Sequence, residues 1–294
     1  MDVDMNGEDS RAGPHSPSTP DEFSGPVQRG FRAILSPVRS IRRYLAGAAA
    51  AASLCALPVD ANPFGDRPLP SGFILAAANA AGSHGTYWKT DVWIHNAGSD
   101  RSLVALYFLP AGRPGEAVSE GQVRIEPGET SEISDIIGLG IHRTDAVGAL
   151  EYRVIEGPDV FVQSRTYSNS GDSAPIEASS AAEAATAANP LRLSGLRRSP
   201  AFRSNLSLVN PLAKPVEVIV ESFDDEGHPV ATLKVALDAR SYLAVNDLFA
   251  GAGIVRNGSA LVRPEGEGRI LAIGSVLSSE TASVTVRPAA RELP

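Results

Sequence analysis

One block of this chain occurs twice. Thr86-Tyr87-Trp88-Lys89-Thr90-Asp91-Val92-Trp93-Ile94-His95-Asn96 returns as Pro200-Ala201-Phe202-Arg203-Ser204-Asn205-Leu206-Ser207-Leu208-Val209-Asn210. The exchanges keep the chemistry: Trp for Phe, Lys for Arg, Thr for Ser, Asp for Asn, aliphatic for aliphatic. A repeat with this period confines the chain to two similar folded units in series, whatever the chain does.

The match extends downstream. Ser134-Asp135-Ile136-Ile137 pairs with Asn246-Asp247-Leu248-Phe249, Ala149-Leu150 with Ala260-Leu261, and Val160, Val162 and Ser164 with Leu271, Ile273 and Ser275. The offsets are 114, 112, 111 and 111 in turn, so loop lengths recur as well as apolar runs. This places one unit at 72–170 and the other at 192–290, each near the common domain size of about 100–150 residues. Between them, residues 171–191 include an Ala-rich run ending at Asn189-Pro190. They read as a mobile or loosely docked connector.

The apolar period is two. Trp88, Val92 and Ile94 oppose Lys89, Asp91 and His95, and Phe202, Leu206 and Leu208 oppose Arg203, Asn205 and Ser207. Such alternation belongs to strands buried on one face. Pro110-Ala111-Gly112, Pro127-Gly128, Glu226-Gly227 and Asn257-Gly258 punctuate the runs with turn residues. Many short strands at this spacing predict an all-β fold of two tandem antiparallel β-sandwich domains. Asp135 and Asp247 each precede a short apolar stretch, the pattern of an acidic N-cap on one helical turn between strands.

The first 61 residues are of another kind. Residues 1–37 are rich in Asp, Ser, Pro and Gly, a composition expected to be disordered. This extension does not suit an export signal, and a start at Val38 is the simpler reading. Residues 38–61 then have the shape of a signal peptide: Arg39, Arg42 and Arg43, an apolar run from Leu45 to Leu57, and small residues at Val59 and Ala61. Cleavage is expected after Ala61. The apolar run is shorter than the ~20 residues a bilayer crossing needs, so no stable transmembrane segment is expected after cleavage. The chain's one cysteine, Cys55, lies inside this signal, leaving no thiol for disulfides. Residues 1–61 hold 6 of the 26 basic and 7 of the 34 acidic residues, leaving 20 and 27 and a net charge of −7. That balance argues against a nucleic-acid partner. The destination is periplasmic or extracellular.

Catalytic signatures are missing: there is no Gly-x-Ser-x-Gly elbow, His-Glu-x-x-His helix, phosphate-binding glycine loop or Ser-x-x-Lys. His84, His95, His142 and His228 show no metal-ligand spacing, and Asp224-Asp225-Glu226-Gly227 reads as a solvated hairpin tip. No metal, cofactor or catalytic residue is therefore expected. One asymmetry stands out. The outward residues of the opening strand are Tyr87, Lys89, Asp91, Trp93 and His95 in the first unit, and Ala201, Arg203, Asn205, Ser207 and Val209 in the second. The first set keeps two aromatics beside polar groups, a candidate ligand face for sugar rings or a protein partner. Packing of Trp93 beneath a neighbouring loop or against the second unit is the competing reading.

The paired blocks, from Trp88 and Phe202 to Asn96 and Asn210, with Pro127-Gly128 and the Asp135 and Asp247 corners, resemble a bacterial secreted tandem Ig-like β-sandwich repeat module. The second unit departs from it where Ala239-Arg240 replaces the Pro-Gly turn. The resemblance implies an exported Ig-like protein and no catalytic residues. The expected role is non-catalytic binding or scaffolding, with a protein or glycan of the cell envelope as partner. A carbohydrate-binding module using the face of the first unit is the alternative.

Overall fold

The computed structural model describes residues 69–82, 85–113, 121–169, 171, 173–281 and 283–291. The expected extension, the signal, Cys55 and His84 lie outside the described residues. Those described fall in one compact unit.

The first half runs β1 (Ser71–Ala81), β2 (Tyr87–His95), β3 (Ser102–Pro110), β4 (Gly121–Ile125), β5 (Thr130–Ile133), β6 (Ala146–Glu156), β7 (Phe161–Ser168) and β8 (Ile176–Glu177). These form one antiparallel sheet in the order β4-β3-β6-β1-β2-β7-β8, with β5 on the other edge of β2. The sheet folds over at the end of β1. That strand pairs with β6 from Ser71 to Asn79 and with β2 only at Ala80 and Ala81. A register shift between Ile74 and Ala77 bends it, and the run of small residues lets the bend close. The result is a two-layer sandwich, β4-β3-β6-β1 over β5-β2-β7-β8.

The second half runs β9 (Leu191–Arg198), β10 (Phe202–Val209), β11 (Val216–Phe223), β12 (Pro229–Leu237), β13 (Tyr242–Val245), β14 (Val255–Pro264), β15 (Leu271–Ser278), β16 (Val284–Pro288) and β17 (Ala290–Arg291). Its sheets are β12-β11-β14-β9-β17 and β13-β10-β15-β16. Strand for strand this is the order of the first half, with β17 added. The architecture is the two-sheet antiparallel sandwich that the alternation predicts. The order is its own. An immunoglobulin constant domain sets its first strand in one sheet with its second, whereas β1 here pairs with β6 from Ser71 to Asn79 and meets β2 only at Ala80 and Ala81.

Each sandwich has its own core. Ile74, Leu106, Phe108, Leu150 and Tyr152 meet Val92, Ile94, Val160 and Val162 in the first. Leu193, Val218, Val220 and Val262 meet Leu206, Leu208, Ala272 and Phe249 in the second. A side chain of this size, fully buried, contributes about 1.5–3 kcal/mol. Asp135 and Asp247 both sit in the left-handed region, at φ 48° and 51°. Asp135 caps a turn of π-helix, Ile136–Gly140, and accepts from Gly138 N. Ile136 and Ile137, and likewise Leu248 and Phe249, drop into the cores behind these corners.

A third core joins the sandwiches. Phe73, Leu75, Leu109 and Ala149, on the outer face of β1, β3 and β6, pack on Val209, Tyr242, Leu271 and Ile273 from β10, β13 and β15. This accounts for two surprises. The first concerns register. Val162 lies opposite Ile94, and Ala272 lies opposite Leu208, so Val162 corresponds to Ala272 and not to Ile273. The alignment by aliphatic pattern slipped by one residue, which exchanges the two faces of a strand. It slipped because both faces of β15 are apolar, one for its own core and one for the joint.

The second surprise is Arg240, which stands near the place that Gly128 holds in the first half. Both are left-handed, Gly128 at φ 72° and Arg240 at φ 48°. A non-glycine residue accepts this conformation at a cost, and its side chain shows the return. The Arg240 guanidinium pairs with Glu151 across the joint and lies 5.6 Å from the centre of the Tyr107 ring. Arg153 approaches Tyr107 at 4.7 Å and bonds the same carboxylate at 2.5 Å.

The segment expected to be a loose connector is held at several described points between Ile176 and Ala185. β8 runs beside β7, and Ser179 pairs with Phe73 of β1. A turn at Ala181–Glu183 follows, closed by a capping box from Ser180. Ala185 then bridges to Ile270 and is fully buried. The small side chains of Ala184 and Ala185 let the segment lie close where the sandwiches meet.

Candidate functional site

The candidate face is the outer surface of the β5-β2-β7-β8 layer, with β2 at its centre. Across from β2, Lys89 pairs with Tyr167, Asp91 with Arg165, Trp93 with Gln163 and His95 with Phe161. On the other side Trp93 faces Glu132 and His95 faces Thr130. The expected residues Tyr87, Lys89, Asp91, Trp93 and His95 are not equally exposed. Asp91 is only 3% exposed, while the other four are partly buried.

Asp91 is buried because donors surround it. Arg165 bonds its Oδ2 at 2.9 Å, and Tyr167 Oη and the Asp135 backbone N donate to Oδ1 at 3.2 and 2.9 Å. Asp135 is held in turn by Asn79 Nδ2, 2.9 Å from both carboxylate oxygens, and by Lys89 Nζ at 3.1 Å. Tyr87 Oη donates to Asn79 Oδ1 at 2.6 Å. Tyr87, Asn79, Asp135, Lys89, Asp91, Arg165 and Tyr167 thus form one lattice under and along the face. The bond to Asp135 raises the pKa of Lys89, keeping it a cation. Burial, then the Asp91 charge, pushes the Tyr167 phenol up.

Above the lattice, the Arg165 guanidinium lies 5.6 Å from the Trp93 ring centre and 4.8 Å from that of Tyr167. His95 Nδ1 is 2.9 Å from Thr130 Oγ1, and its ring tilts over Phe161 at 6.1 Å. The face is therefore a rigid row of Tyr167, Arg165, Trp93 and His95 with its carboxylates already engaged. It offers cation, ring and imidazole surfaces. Arg165, Tyr167 and Gln163 were not among the sequence candidates. Their signal is the alternation Phe161, Gln163, Arg165, Tyr167, which marks a strand but not the strand it adjoins.

The second sandwich uses one end of the corresponding row for the joint. Val209, the counterpart of His95, is fully buried in the joint, and Ser207 bonds Tyr242 Oη at 3.0 Å. The joint covers that face at its Val209 end only; Ala201, Asn205 and Ser207 stay partly exposed and Arg203 exposed.

At the β11–β12 hairpin tip, which the sequence reads as solvated, Asp224, Glu226 and His228 bring ligand atoms within 4.8 Å of one another. Asp224 Oδ1 accepts from the Glu226 and His228 backbone N at 3.0 and 2.8 Å, and the His228 bond lowers its pKa. These bonds are what a hairpin tip requires. A separate open cleft of about 940 Å³ lies where the two sandwiches meet. Among the described residues, no helix is long and apolar enough to cross a membrane.

No family model matches the chain. No curated protein sequence matches it. Among solved structures the chain is similar to Bacteroides uniformis beta-glucuronidase 2 covalently bound to cyclophellitol-6-carboxylate aziridine. The identity is 12% over 70% of this chain and 26% of that one, with a TM-score of 0.15. The chain thus matches about a quarter of that protein, and a likeness this slight carries no argument about fold or function.

Proposed function

We propose that the chain is an exported, non-catalytic binding or scaffolding protein of the periplasm or cell exterior. Its two antiparallel sandwiches, Ig-like in their two-layer build and not in strand order, are read as copies of one unit, at about 72–170 and 192–290, and its partner as a protein or glycan of the cell envelope. One observation carries the reading: equivalent faces of the two sandwiches differ in what they present. The second turns its Val209 end into the joint and shows no aromatic along the rest, while the first carries an Arg165, Trp93 and Tyr167 row held from below by Asp91 and Asp135. Rigid aromatic and Arg groups lose little entropy on contact and are favoured at protein interfaces. The engaged carboxylates support a non-catalytic role, because neither Asp91 nor Asp135 is placed to take a proton from a substrate.

Sugar binding is the second reading, favoured by the partly exposed Trp93, whose register partners are Gln163 and Glu132. Arg165 already approaches that ring, so a sugar would take the remaining surface. The test is Trp93→Ala, assayed by pull-down from native cell envelope and on a glycan array, with unfolding measured in parallel. Lost capture at unchanged stability supports the proposal, and a glycan signal lost with it supports the second reading. Unchanged capture and unchanged glycan signal, with stability lowered, would make Trp93 a packing residue and remove the face from both.

A further inference from the structure

The cleft where the sandwiches meet is a second surface, independent of the face on β2. Its floor is the rim of the joint: Leu75, Leu271 and Ile273 belong both to it and to the third core. One wall is the segment 173–179 with β8, and the other is β16. Both strands are sheet edges.

The register shows where their backbone groups point. Ser278 N donates to Ser283 O at 3.0 Å, which makes this a hydrogen-bonded pair of the β15–β16 ladder. Bonded and non-bonded pairs alternate in an antiparallel ladder. Thr285 and Arg287 therefore bond to β15, while Val284 and Val286 turn their N–H and C=O groups to the outer edge. Pro288, in a non-bonded pair with Ile273, fits the same count because it has no N–H to lose. Across the cleft, Ala178 N donates to Val162 O at 3.0 Å, and the same alternation turns the Glu177 backbone outward. An edge of this kind is a template for another strand.

Among the described residues lining the cleft, the charged ones are Glu177 and Glu183, both acidic. The structure thus combines an apolar floor continuous with an existing interface, backbone groups aimed outward from an edge, and negative charge on one wall. We propose that this cleft receives an extended peptide segment of a partner protein, apolar at alternate positions and carrying a basic residue, as an added strand on β16. Main-chain bonds to Val284 and Val286 hold the strand, alternate side chains fill the floor over Leu75 and Ile273, and the basic residue meets Glu177 or Glu183. Pro288 sets one end of the added strand.

The probe is a display library of random short peptides, selected on the full chain and counter-selected on Val286→Pro. That substitution removes an outward N–H and leaves the bonds to β15 in place. Enriched peptides with alternating apolar residues and a Lys or Arg are expected, binding at least about tenfold more weakly to Val286→Pro. The same synthetic peptides with methylated backbone nitrogens should lose binding to the unaltered chain, which tests the strand pairing even if Val286→Pro folds poorly. Glu177→Lys should weaken them several-fold. The proposal is overturned if no sequence is enriched, or if enriched peptides bind as well after backbone methylation, as a simple apolar pocket would allow.

Discussion

Asn96 and Asn210 sit just beyond the ends of β2 and β10 and make the same four hydrogen bonds. Asn96 Nδ2 donates to the carbonyls of Asp100 and Ile125 at 2.8 and 3.1 Å, and Asn210 Nδ2 to those of Lys214 and Asp238 at 2.8 and 2.7 Å. Their Oδ1 atoms accept from Gly98 N at 2.9 Å and Leu212 N at 3.0 Å. Their own backbone N–H groups donate to Glu129 O at 3.0 Å and Ser241 O at 2.9 Å. Both residues are fully buried. Asn suits the place because it combines two donors with an acceptor on a short stem. Each one ties the strand end to the loop after it and to the strand edge beside it.

Replacing either Asn by Ala leaves two carbonyls and one N–H without their partner, and those on the exposed Asp100, Lys214 and Asp238 can turn in part to water. Each unsatisfied buried group costs about 1–3 kcal/mol. Asn96→Ala and Asn210→Ala should each lower stability by roughly 2–4 kcal/mol, by similar amounts, as read from urea unfolding midpoints. A loss below about 0.5 kcal/mol at either site would mean that water or loop movement replaces these bonds.

The inward set was legible in the sequence because one side of each strand meets solvent or polar neighbours. Val92, Ile94, Leu206 and Leu208 lie where the period of two places them, fully or nearly buried. Legibility failed where a strand is apolar on both sides. β15 carries Ala272 and Val276 toward its own core and Leu271 and Ile273 toward the joint, so periodicity alone could not tell the faces apart. The candidate face shows a related limit. Asp91, Trp93 and His95 were found from one strand, while Arg165 and Tyr167, which complete the row, lie across a pairing that only the register reveals.

Arg240 tests the joint. Arg240→Gly relieves a left-handed backbone that costs a non-glycine residue about 1 kcal/mol or more. It also leaves Glu151, 4% exposed, with Arg153 as its remaining cation. Removing one partner of a buried pair costs about 3–5 kcal/mol, so the loss exceeds the relief. The variant should be net destabilised by roughly 2–3 kcal/mol, and Arg240→Gly with Glu151→Gln should recover part of this. A variant more stable than the parent chain in thermal unfolding would show that the left-handed strain outweighs the pair.

The lattice beneath the candidate face predicts an alkaline limit to stability. Lys89 and Tyr167 both have pKa values raised in the fold. A raised pKa contributes stability that is complete below the unfolded value, 10.5 for Lys and 10.0 for Tyr, and is lost as pH climbs through the folded value. Stability should therefore fall as pH rises above about 10. Tyr167→Phe and Lys89→Met should each flatten that fall, followed by circular dichroism with tyrosinate absorbance. An identical alkaline profile in both variants would place the sensitivity elsewhere, for example at the buried Tyr152 and Tyr242, whose phenols burial also pushes up.

Two glycines separate backbone strain from lack of space. Gly128 has φ 72° and nothing within 4 Å of the place a Cβ would take. Gly157 has φ 86°, and a Cβ there would stand 2.0 Å from the Arg101 carbonyl oxygen, a backbone atom that cannot swing aside. Gly128→Ala should therefore cost only the left-handed penalty, about 1 kcal/mol, as the left-handed Arg240 of the second sandwich already suggests. Gly157→Ala adds a clash that must move the chain between β3 and β6, and overpacking of this kind costs about 1–3 kcal/mol more. Guanidinium unfolding of the two variants should rank Gly157→Ala well below Gly128→Ala. Equal losses would mean that the turn after β6 shifts freely, and that the close approach of Gly157 to Arg101 is not needed to hold β3 against β6.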